Sequence, residues 1–560
     1  MTTRLPRGIA LGSLMFALLC GAAAAQTREI DNIIVDQNRV VRTYSTPLST
    51  PGTLGLGYKV DDLTAEPGAE ETIFTLRRIE LIGGENGPLG ELPELWQDRL
   101  GTTMSVAELA AITKAIDGTY YRGDLFAHAI VRSVAPDDGV VVIEIFEGYL
   151  EEIIVISDDP ELEPRLRPYI DRIAALVPLR VSLLERNLLL MADLDGHTVD
   201  ALLERLPGGR GAGRLTLTID PESPSGVIQL NNLGSPETGP LQATGVATFG
   251  DLLGLFEQTS FVGVVNPVAP REFAYLNLSQ SVPVGTYGLR AGYAVAGISS
   301  KPGGDLANLD VEVRSANATL SLDYPFIRRI SHNLNGGMEL HLQNQTVEVG
   351  PVTAVEDRSR WITLRADADR NFDAGDWSAL FTASQGLSGL GASSGNRPQA
   401  GRFGGDANFR MVTGELGIGL ALAESLSLNI DVAGQYAFDP LPDAVRFSVG
   451  GDPFGRAFAG LSVAGDSGYG GSAELERAFD AGIDWVPYTA AFVFADHGYV
   501  HNRAVGTGFT NASLGSVGGG LRMVLANGIF AEGSVAVPIQ SSAAVEDRGT
   551  RYHFTLAFSF

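Results

Sequence analysis

RYHFTLAFSF, the segment from Arg551 to Phe560, ends the chain with a strict alternation of two kinds of side chain. Successive side chains of a β-strand point to opposite faces. One face therefore carries Tyr552, Phe554, Leu556, Phe558 and Phe560, and the other carries Arg551, His553, Thr555, Ala557 and Ser559. An apolar outer face with aromatic residues and a polar inner face are typical of a strand in a membrane barrel. A half-buried strand of a soluble protein gives the same pattern, so the rest of the sequence must decide.

The start of the chain has the layout of a secretory signal peptide. Residues 1–25 combine a basic start, an apolar run and a series of small residues ahead of Gln26. We predict cleavage after Ala25. Cys20 would allow a lipid anchor, but Leu19 before it is bulky where lipoprotein sites prefer a small residue. Because Cys20 is the only cysteine, the mature chain would have none and could form no disulfide.

Composition favours a β-rich membrane protein. After the signal peptide, every apolar stretch is interrupted by charged residues, Gly, Asn or Pro before it reaches the length of a transmembrane helix. A chain that crosses a bilayer without helices must form a closed barrel, because every backbone polar group needs a partner there. The 68 Gly and 28 Pro residues suit many short strands joined by turns. The formal net charge of −26 argues against nucleic acid as a partner, since such binding needs a basic surface.

The chain divides into regions of different character. Residues 26–71 are polar and punctuated by Pro and Gly, which predicts a linker. Residues 72–149 and 150–220 each show the order strand, two helices, two strands, which predicts two small α+β domains. Residues 226–560 show short strands separated by turns, and at about 21 residues for each strand with its turn they predict an all-β transmembrane barrel of roughly 16 antiparallel strands. The predicted loops are 234–240, 299–308, 386–405, 439–467 and 541–549.

The two α+β domains resemble POTRA domains, the small periplasmic modules of outer-membrane transporters. Their helices are predicted at 92–100, 106–121, 162–176 and 183–193. The stretch LERNLLLMADLDG at 184–196 is similar to the ER-x-LLL-x-x-DLPG segment of the second POTRA domain in two-partner secretion transporters. Asp195 stands where the family has proline, which loosens the turn and spares the packing face. The resemblance marks as motif residues Glu185, Arg186, Asp193 and Gly196.

A second set of segments resembles the barrel of the same transporters. The sharpest is GGDPFGRAF at 450–458, followed by GDSG at 465–468 and ELE at 474–476. In the family this stretch is an extracellular loop that folds back into the barrel with an arginine at its tip, which here is Arg456. Ala457 replaces a usual glycine and puts the tight turn of the tip in question. The remaining motif residues are Gly450, Gly451, Gly455 and Phe458.

The resemblance also gives Arg456 a partner. In the superfamily the tip arginine pairs with the aspartate of an F-x-D-x-G motif, which fits Phe494, Asp496 and Gly498. A carboxylate in a barrel lumen needs a partner or water, and a guanidinium supplies two parallel donors. Spacing alone would leave Arg456 as a solvated loop charge and Asp496 as a wet lumen residue. The ordered family segments on both sides favour instead a pair that anchors the loop, and we call Arg456, Phe458 and Asp496 the loop lock.

No catalytic residue, metal or cofactor is predicted. His497 and His501 are four residues apart but lack a third ligand. The glycines at 518–520 begin a strand instead of joining a strand to a helix, so they do not favour phosphate binding. The GDSG segment at 465–468 suggests a serine nucleophile only superficially, because no histidine can be assigned to activate it.

Taken together, these segments resemble the haemolysin and adhesin secretion-activation family of two-partner secretion transporters, in the Omp85 superfamily. The resemblance implies a protein of the Gram-negative outer membrane with its POTRA domains in the periplasm and a large secreted exoprotein as partner. Further contacts would be with outer-membrane lipid, lipopolysaccharide and, through Phe560, the barrel-assembly machinery. A barrel-assembly insertase is the alternative and a passive porin is a less favoured one. Two POTRA units and the ERNLLL segment favour secretion.

Overall fold

The computed structural model describes residues 52, 54–59, 73–105, 108–206, 210–460, 463–503, 509–542, 545 and 549–560. The predicted signal peptide and most of the predicted linker lie outside the described residues. The described chain forms two compact units. The barrel unit contains Ser223–Ile327 and Ser331–Phe560, and the N-terminal unit contains Thr50–Glu222 together with Arg328–Ile330.

The N-terminal unit contains nine strands and three α-helices among its described residues. The strands are β1 (Leu54–Lys59), β2 (Ile73–Thr75), β3 (Arg78–Gly83), β4 (Thr103–Ser105), β5 (Ala127–Ala135), β6 (Val140–Glu147), β7 (Tyr149–Ile156), β8 (His197–Arg205) and β9 (Ala212–Pro221). The helices are α1 (Leu109–Arg122), α2 (Leu162–Ala174) and α3 (Val181–Ala192). Within the part of the chain that is described, no helix is long and apolar enough to cross a membrane.

One predicted helix of this unit is wrong. Residues 92–100 form two short 3-10 turns, Leu92–Leu95 and Gln97–Arg99, instead of one α-helix. Trp96, between the two turns, leaves the helical region with φ of −137° and so interrupts any continuous helix. The apolar spacing of this segment therefore reflects burial of Leu92 and Trp96, which does not require a continuous helix.

The first half of the N-terminal unit packs one helix on a three-stranded sheet. In this sheet β6 lies between β3 and β5, parallel to β3 and antiparallel to β5. Helix α1 buries Ile112, Ile116 and Tyr120, whose spacing of four places them on one face. The Tyr120 hydroxyl donates to the carbonyl of Gly84 at 2.5 Å. Burial, with a smaller contribution from the charge of Glu147, raises the pKa of Tyr120 to about 12.

The second half builds a four-stranded sheet in the order β1-β8-β9-β7. Strand β1 runs parallel to β8, from Leu54 opposite Val199 to Lys59 opposite Glu204. Residues 54–59 fall inside the segment predicted to be a linker, so that prediction is wrong for this stretch. Its sequence LGLGYK contains two glycines, which weaken a strand signal, and the edge of β8 supplies the partner that the segment needs.

The barrel unit is a closed barrel of 16 strands, each paired with its neighbours in chain order, and this confirms the predicted fold class. The barrel strands are β10 (Ser225–Asn231), β11 (Gln242–Gly250), β12 (Gln258–Val265), β13 (Ala274–Val284), β14 (Leu289–Ser300), β15 (Val311–Arg328), β16 (His332–Val349), β17 (Val352–Phe372), β18 (Gly375–Gly386), β19 (Arg410–Ala423), β20 (Leu426–Ala437), β23 (Ser467–Phe479), β24 (Tyr488–His501), β25 (Asn511–Val524), β26 (Ile529–Ser541) and β27 (Arg551–Ser559). Between β20 and β23 the chain forms two short strands, β21 (Phe447–Val449) and β22 (Val463–Gly465), which pair with each other in a separate sheet.

The two longest connections leave one end of the barrel, and shorter connections leave the other. Connections 387–409 and 438–466 belong to the first end, which we call the long-loop end. The turns 285–288 and 373–374 belong to the opposite end. Strand β27 alternates as its sequence predicts, since Tyr552, Phe554, Leu556 and Phe558 are exposed while the residues between them are partly buried.

The barrel closes where β27 pairs with the first barrel strand, β10. The last residue pair of this strand ladder sets Asn231 opposite Thr555, and beyond it the Asn232 amide donates to the carbonyl of Phe554 at 3.4 Å. At the other end of the seam, Gly226 and the terminal Phe560 exchange backbone hydrogen bonds of 2.9 and 3.0 Å. The chain terminus is therefore part of the closure.

A side chain lengthens the seam. Asn232 follows the last residue of β10, and its Nδ2 donates to the carbonyl of Tyr552 at 2.8 Å. Its Oδ1 accepts from the backbone amide of Phe554 at 2.8 Å. A carboxamide carries the same donor and acceptor as a peptide group. Asn232 therefore continues the hydrogen-bonded seam beyond the end of the strand.

Candidate functional site in the barrel lumen

Connection 438–466, between β20 and β23, folds back against the inner face of the barrel, and we call it the inward loop. Its residues Phe447, Val449 and Phe458 share one buried cluster with Phe492 and Phe494 of β24. Strand β24 alternates so that residues 492, 494, 496 and 498 all lie on its buried side. The segments resembling the family loop and the F-x-D-x-G motif therefore meet in the structure.

Three glycines shape the tip of the inward loop. Gly450, Gly451 and Gly455 have φ of 119°, 75° and 109°, values that favour glycine. The amide of Gly450 donates to the carbonyl of Phe454 at 2.7 Å, and that of Gly451 donates to Gly455 at 2.9 Å. Ala457 is not among the residues with positive φ, so alanine can replace the usual glycine there without backbone strain.

Other glycines make room for the loop and for its aromatic neighbours. A Cβ at Gly498 would lie 2.5 Å from Cγ1 of Val449 in β21, which is closer than real Cβ atoms approach. A Cβ at Gly518 would lie 2.5 Å from Cζ of Phe494. The glycine of F-x-D-x-G thus admits the loop, and the glycines at 518–520 lie inside a strand where they leave space for side chains.

The Arg456 guanidinium lies between acidic groups and an aromatic ring. Its Nη1 donates to Oε2 of Glu474 at 2.7 Å, and its Nη2 lies 3.4 Å from Oγ of Ser472. Its Nε lies 3.1 Å from Oδ1 of Asp452 in the loop itself. The Cζ atom stands 4.2 Å from the centre of the Phe494 ring, which places the cation over the ring face.

Asp496 has different partners from those predicted. Its Oδ1 accepts from the backbone amide of Gly455 at 2.8 Å and from the hydroxyl of Ser516 at 2.7 Å, and the amide of Arg456 is 3.4 Å from Oδ2. The prediction that the Arg456 guanidinium binds the Asp496 carboxylate directly is therefore wrong, although the two residues do lie in the same site. Asp496 binds the backbone of the tip, because the compact turn points its amides at β24, while the arginine side chain extends to Glu474 of β23.

The last strand also contacts the tip. His553 of β27 lies with Nε2 at 2.7 Å from the backbone carbonyl of Arg456. The amide of Ala457 donates to Oγ of Ser516 at 3.1 Å, and Phe458 is 1% exposed in the shared cluster. The tip is thus bound by β23, β24, β25 and β27 together.

Sequence reasoning missed the second arginine of this site. Arg522 of β25 donates to Glu474 and Glu476 at 2.6 Å each and, through Nε, to Glu532 at 2.6 Å. Its Cζ lies 4.0 Å from the centre of the Phe492 ring, as Arg456 lies over Phe494. Charged residues alternating with apolar ones on β23, β25 and β26 were the available signal. Glu474 joins the two arginines into one network.

The motif residues of the N-terminal unit lie on or just after α3. Asp193 accepts from Nε and Nη2 of Arg328 at 2.9 and 2.7 Å, and Glu185 accepts from Nη1 of Arg329 at 3.0 Å. Gly196 has φ of 88°, which explains glycine at this turn. Arg186 lies on α3 and is partly buried. Asp193 and Glu185 therefore form ion pairs within the N-terminal unit.

The described residues contain no group of three or more His, Cys, Asp or Glu side chains that could hold a metal ion. His501 lies with Nδ1 at 2.7 Å from Oδ1 of Asn511, and His497 lies 5.8 Å, centre to centre, from the Tyr469 ring. Both histidines have ordinary strand neighbours on β23 and β25.

Residues 211–523 match the model of a protein family described as haemolysin secretion/activation protein ShlB/FhaC/HecB. The chain belongs to this family. A barrel of 16 strands in a member of the ShlB/FhaC/HecB family places the protein in the outer membrane, as the sequence predicts.

Comparison with individual known proteins agrees with this assignment. The outer membrane transporter CdiB of Escherichia coli O6:K15:H31 (strain 536 / UPEC) is 28% identical over 191 residues, which cover 34% of this chain and 32% of the relative. The aligned part is thus about a third of that relative's length. The solved structure of CdiB from Escherichia coli has a TM-score of 0.70 at 18% identity, covering 98% of this chain and all of that one. CdiB from Acinetobacter baumannii has a TM-score of 0.62 at 15% identity, with 97% of this chain and 100% of that chain covered.

Proposed function

We propose that this protein exports a large partner exoprotein through its barrel in two-partner secretion. The supporting observation is the inward loop, whose tip is bound to the polar inner face of a closed barrel in a chain of the ShlB/FhaC/HecB family. A loop held in the lumen by non-covalent contacts, polar at its tip and apolar along its length, can be displaced by a passing chain, whereas a passive porin needs no such element. Transport of this kind requires no catalytic step.

We propose further that the N-terminal unit is periplasmic and receives the cargo as two POTRA domains, 72–149 and 150–220. An extended segment can bind a sheet edge by strand addition, which uses backbone hydrogen bonds before side chains. Strand β1 already occupies the edge of β8 in this way. Cargo that uses this edge would compete with β1.

Contacts with lipid and lipopolysaccharide outside the barrel, and recognition of Phe560 by the barrel-assembly machinery, complete the proposal. Phe560 is 60% exposed even though its backbone pairs with Gly226, so its ring is accessible. Deleting Phe560 should lower the amount of barrel that reaches the outer membrane. Unchanged levels would remove this part of the proposal.

The decisive experiment deletes residues 72–149 and measures export of the partner exoprotein. Export should be lost while the barrel stays in the membrane and remains heat-modifiable, because the two units have separate cores. Continued export would contradict a receptor role. If loss of the whole protein instead depletes several other outer-membrane barrels in a proteomic comparison, the insertase alternative is correct.

A further inference from the structure

The base of the inward loop carries a second buried ion pair, separate from the loop lock. Asp466, the aspartate of GDSG, is the last loop residue before β23 and is 0% exposed. Arg402 lies in connection 387–409, between β18 and β19, and is 4% exposed. The Nη1 and Nη2 atoms of Arg402 donate to the two carboxylate oxygens of Asp466, the second at 2.8 Å. This pair therefore joins two different connections at the long-loop end.

The Asp466 carboxylate gathers further donors. The backbone amide of Leu441, on the opposite arm of the inward loop, donates to Oδ1 at 2.8 Å. The amide of Arg503, just after β24, donates to Oδ2 at 2.6 Å. Burial alone would raise the pKa of Asp466, but the hydrogen bonds and charge of Arg402 hold it below its usual value. The carboxylate is thus ionised and bound by three other segments of the chain.

Neighbouring polar groups complete this arrangement. Arg402 also donates through Nη1 to the carbonyl of Leu441 at 2.7 Å. Arg446 donates through Nη2 to the carbonyl of Ala464 at 2.6 Å and to Oδ1 of Asn502 at 3.0 Å. Both arms of the inward loop, through residues 441, 446, 464 and 466, are therefore bound at its base.

The hydrogen bonds and ion pairs of the base share no residue with those of the tip, although both parts of the loop pack in one apolar cluster. The tip is bound by Glu474, Asp496 and Ser516 of the barrel wall, whereas the base is bound by Arg402 of another connection. Removing one partner of a buried pair leaves the other charge desolvated, so such pairs are costly to break from one side.

We propose that Arg402 is a positioning residue that holds the base of the inward loop across the long-loop end of the barrel, independently of the tip. The tip can then leave the lumen wall while the loop as a whole stays in the barrel. This inference goes beyond export and concerns the resting position of the loop, so it does not depend on the cargo.

The chain offers a matched control pair at the same end. Arg410 at the start of β19 makes two bonds to Asp439 beyond β20, Nε to Oδ2 at 3.0 Å and Nη2 to Oδ1 at 3.1 Å. The residue types and the paired geometry match those of Arg402 and Asp466, but the Arg410 side chain is 61% exposed. Exposed pairs contribute little because water and salt screen them.

The test measures thiol labelling of the full chain in outer-membrane vesicles, in a Cys20→Ser background. The reporter at the base is Ser448→Cys in β21, where the native serine is 3% exposed. Arg402→Met should speed labelling by about 10- to 100-fold, as expected for loss of hydrogen bonds to a buried charged group. Arg410→Met should change it by less than about fivefold. Equal labelling of the two variants would overturn the proposal.

A second reporter tests independence of base and tip. The variant Arg456→Met should speed labelling of the tip reporter Ala457→Cys. The same variant should leave the labelling rate of the base reporter Ser448→Cys unchanged. If Arg456→Met exposes Ser448→Cys as strongly as Arg402→Met does, base and tip are one unit and the proposal is wrong. Heat-modifiability checks folding of each variant. Should Arg402→Met fail to insert, Asp466→Asn, which keeps the shape of the side chain, replaces it with the same expected increase.

Discussion

The partner of the Arg456 side chain can be identified by its energetic coupling to Glu474 and to Asp496. We consider the variants Arg456→Met, Glu474→Gln and Asp496→Asn, and the double variants of Arg456→Met with each of the other two. Methionine keeps the packing of the arginine stem over Phe494, and the amides keep the shapes of the carboxylates. The Nη1 to Oε2 distance of 2.7 Å, with both side chains at most 9% exposed, makes Arg456 and Glu474 a close charge pair.

The structure predicts a large coupling for one pair and a small coupling for the other. Close charge pairs couple by about 1.5 to 7 kcal/mol, and water in the lumen should put Arg456 with Glu474 near the lower end, at about 2 kcal/mol. Asp496 binds the amides of Gly455 and Arg456, and Arg456→Met keeps both amides. The coupling of Arg456 with Asp496 should therefore stay below about 1 kcal/mol.

The assay is the labelling rate of Ala457→Cys, a position that is fully buried at rest. With rapid reclosing of the tip, the ratio of two labelling rates gives the difference in opening free energy, and about 2 kcal/mol corresponds to roughly 30-fold. Both Arg456→Met and Glu474→Gln should speed labelling, and the double variant should fall short of the product of the two effects by that factor. A larger shortfall for Arg456 with Asp496 than for Arg456 with Glu474 would refute the pairing described here.

Three further outcomes follow from the structure. Gly498→Ala should destabilise the seated loop by about 1 to 3 kcal/mol, because its Cβ would overlap Val449, and should therefore speed labelling of Ala457→Cys. The control Gly533→Ala, with no atom within 4 Å of the added Cβ, should leave that labelling rate unchanged. Because the folded-state pKa of Tyr120 is raised to about 12, its contribution to folding is complete below the unfolded value of about 10 and is lost as pH rises between the two. Between these two pH values the stability of the N-terminal unit, measured by thermal unfolding, should fall less steeply in Tyr120→Phe than in Tyr121→Phe. Identical slopes of stability against pH would contradict the assignment of the raised pKa to Tyr120. If β1 leaves the edge of β8 free only about 1 to 10% of the time, deleting residues 52–59 should strengthen binding of an extended exoprotein peptide to the N-terminal unit by about 10- to 100-fold. Unchanged affinity in a titration would show that cargo does not use this edge.

The sequence predicts the strands and the position of the inward loop better than it predicts which atoms form hydrogen bonds. Alternation in β27 predicts the exposed aromatic face, because a strand has a fixed two-residue period. The motif around Asp496 predicts that the loop meets β24. The Asp496 carboxylate, however, binds backbone amides, and because nearly every residue has such an amide, the sequence cannot indicate which one is the partner. Arg402 belongs to no motif, and its contact with Asp466 exists only through the meeting of two distant connections. The strand at 54–59 was missed because its partner β8 lies far along the chain.

The carboxamide of Asn232 at the barrel seam has a consequence for how this barrel can change through mutation. The backbone rungs between β10 and β27 form whatever side chains the two strands carry, so substitutions leave them largely intact. The two side-chain bonds from Asn232 to Tyr552 and Phe554 depend on one codon, whereas the backbone bond from the Asn232 amide to Phe554 does not. Replacing Asn232 by alanine would shorten the closure by both bonds at once and leave the strand sequences untouched. The strength of the join between β10 and β27 can thus be adjusted in a single evolutionary step.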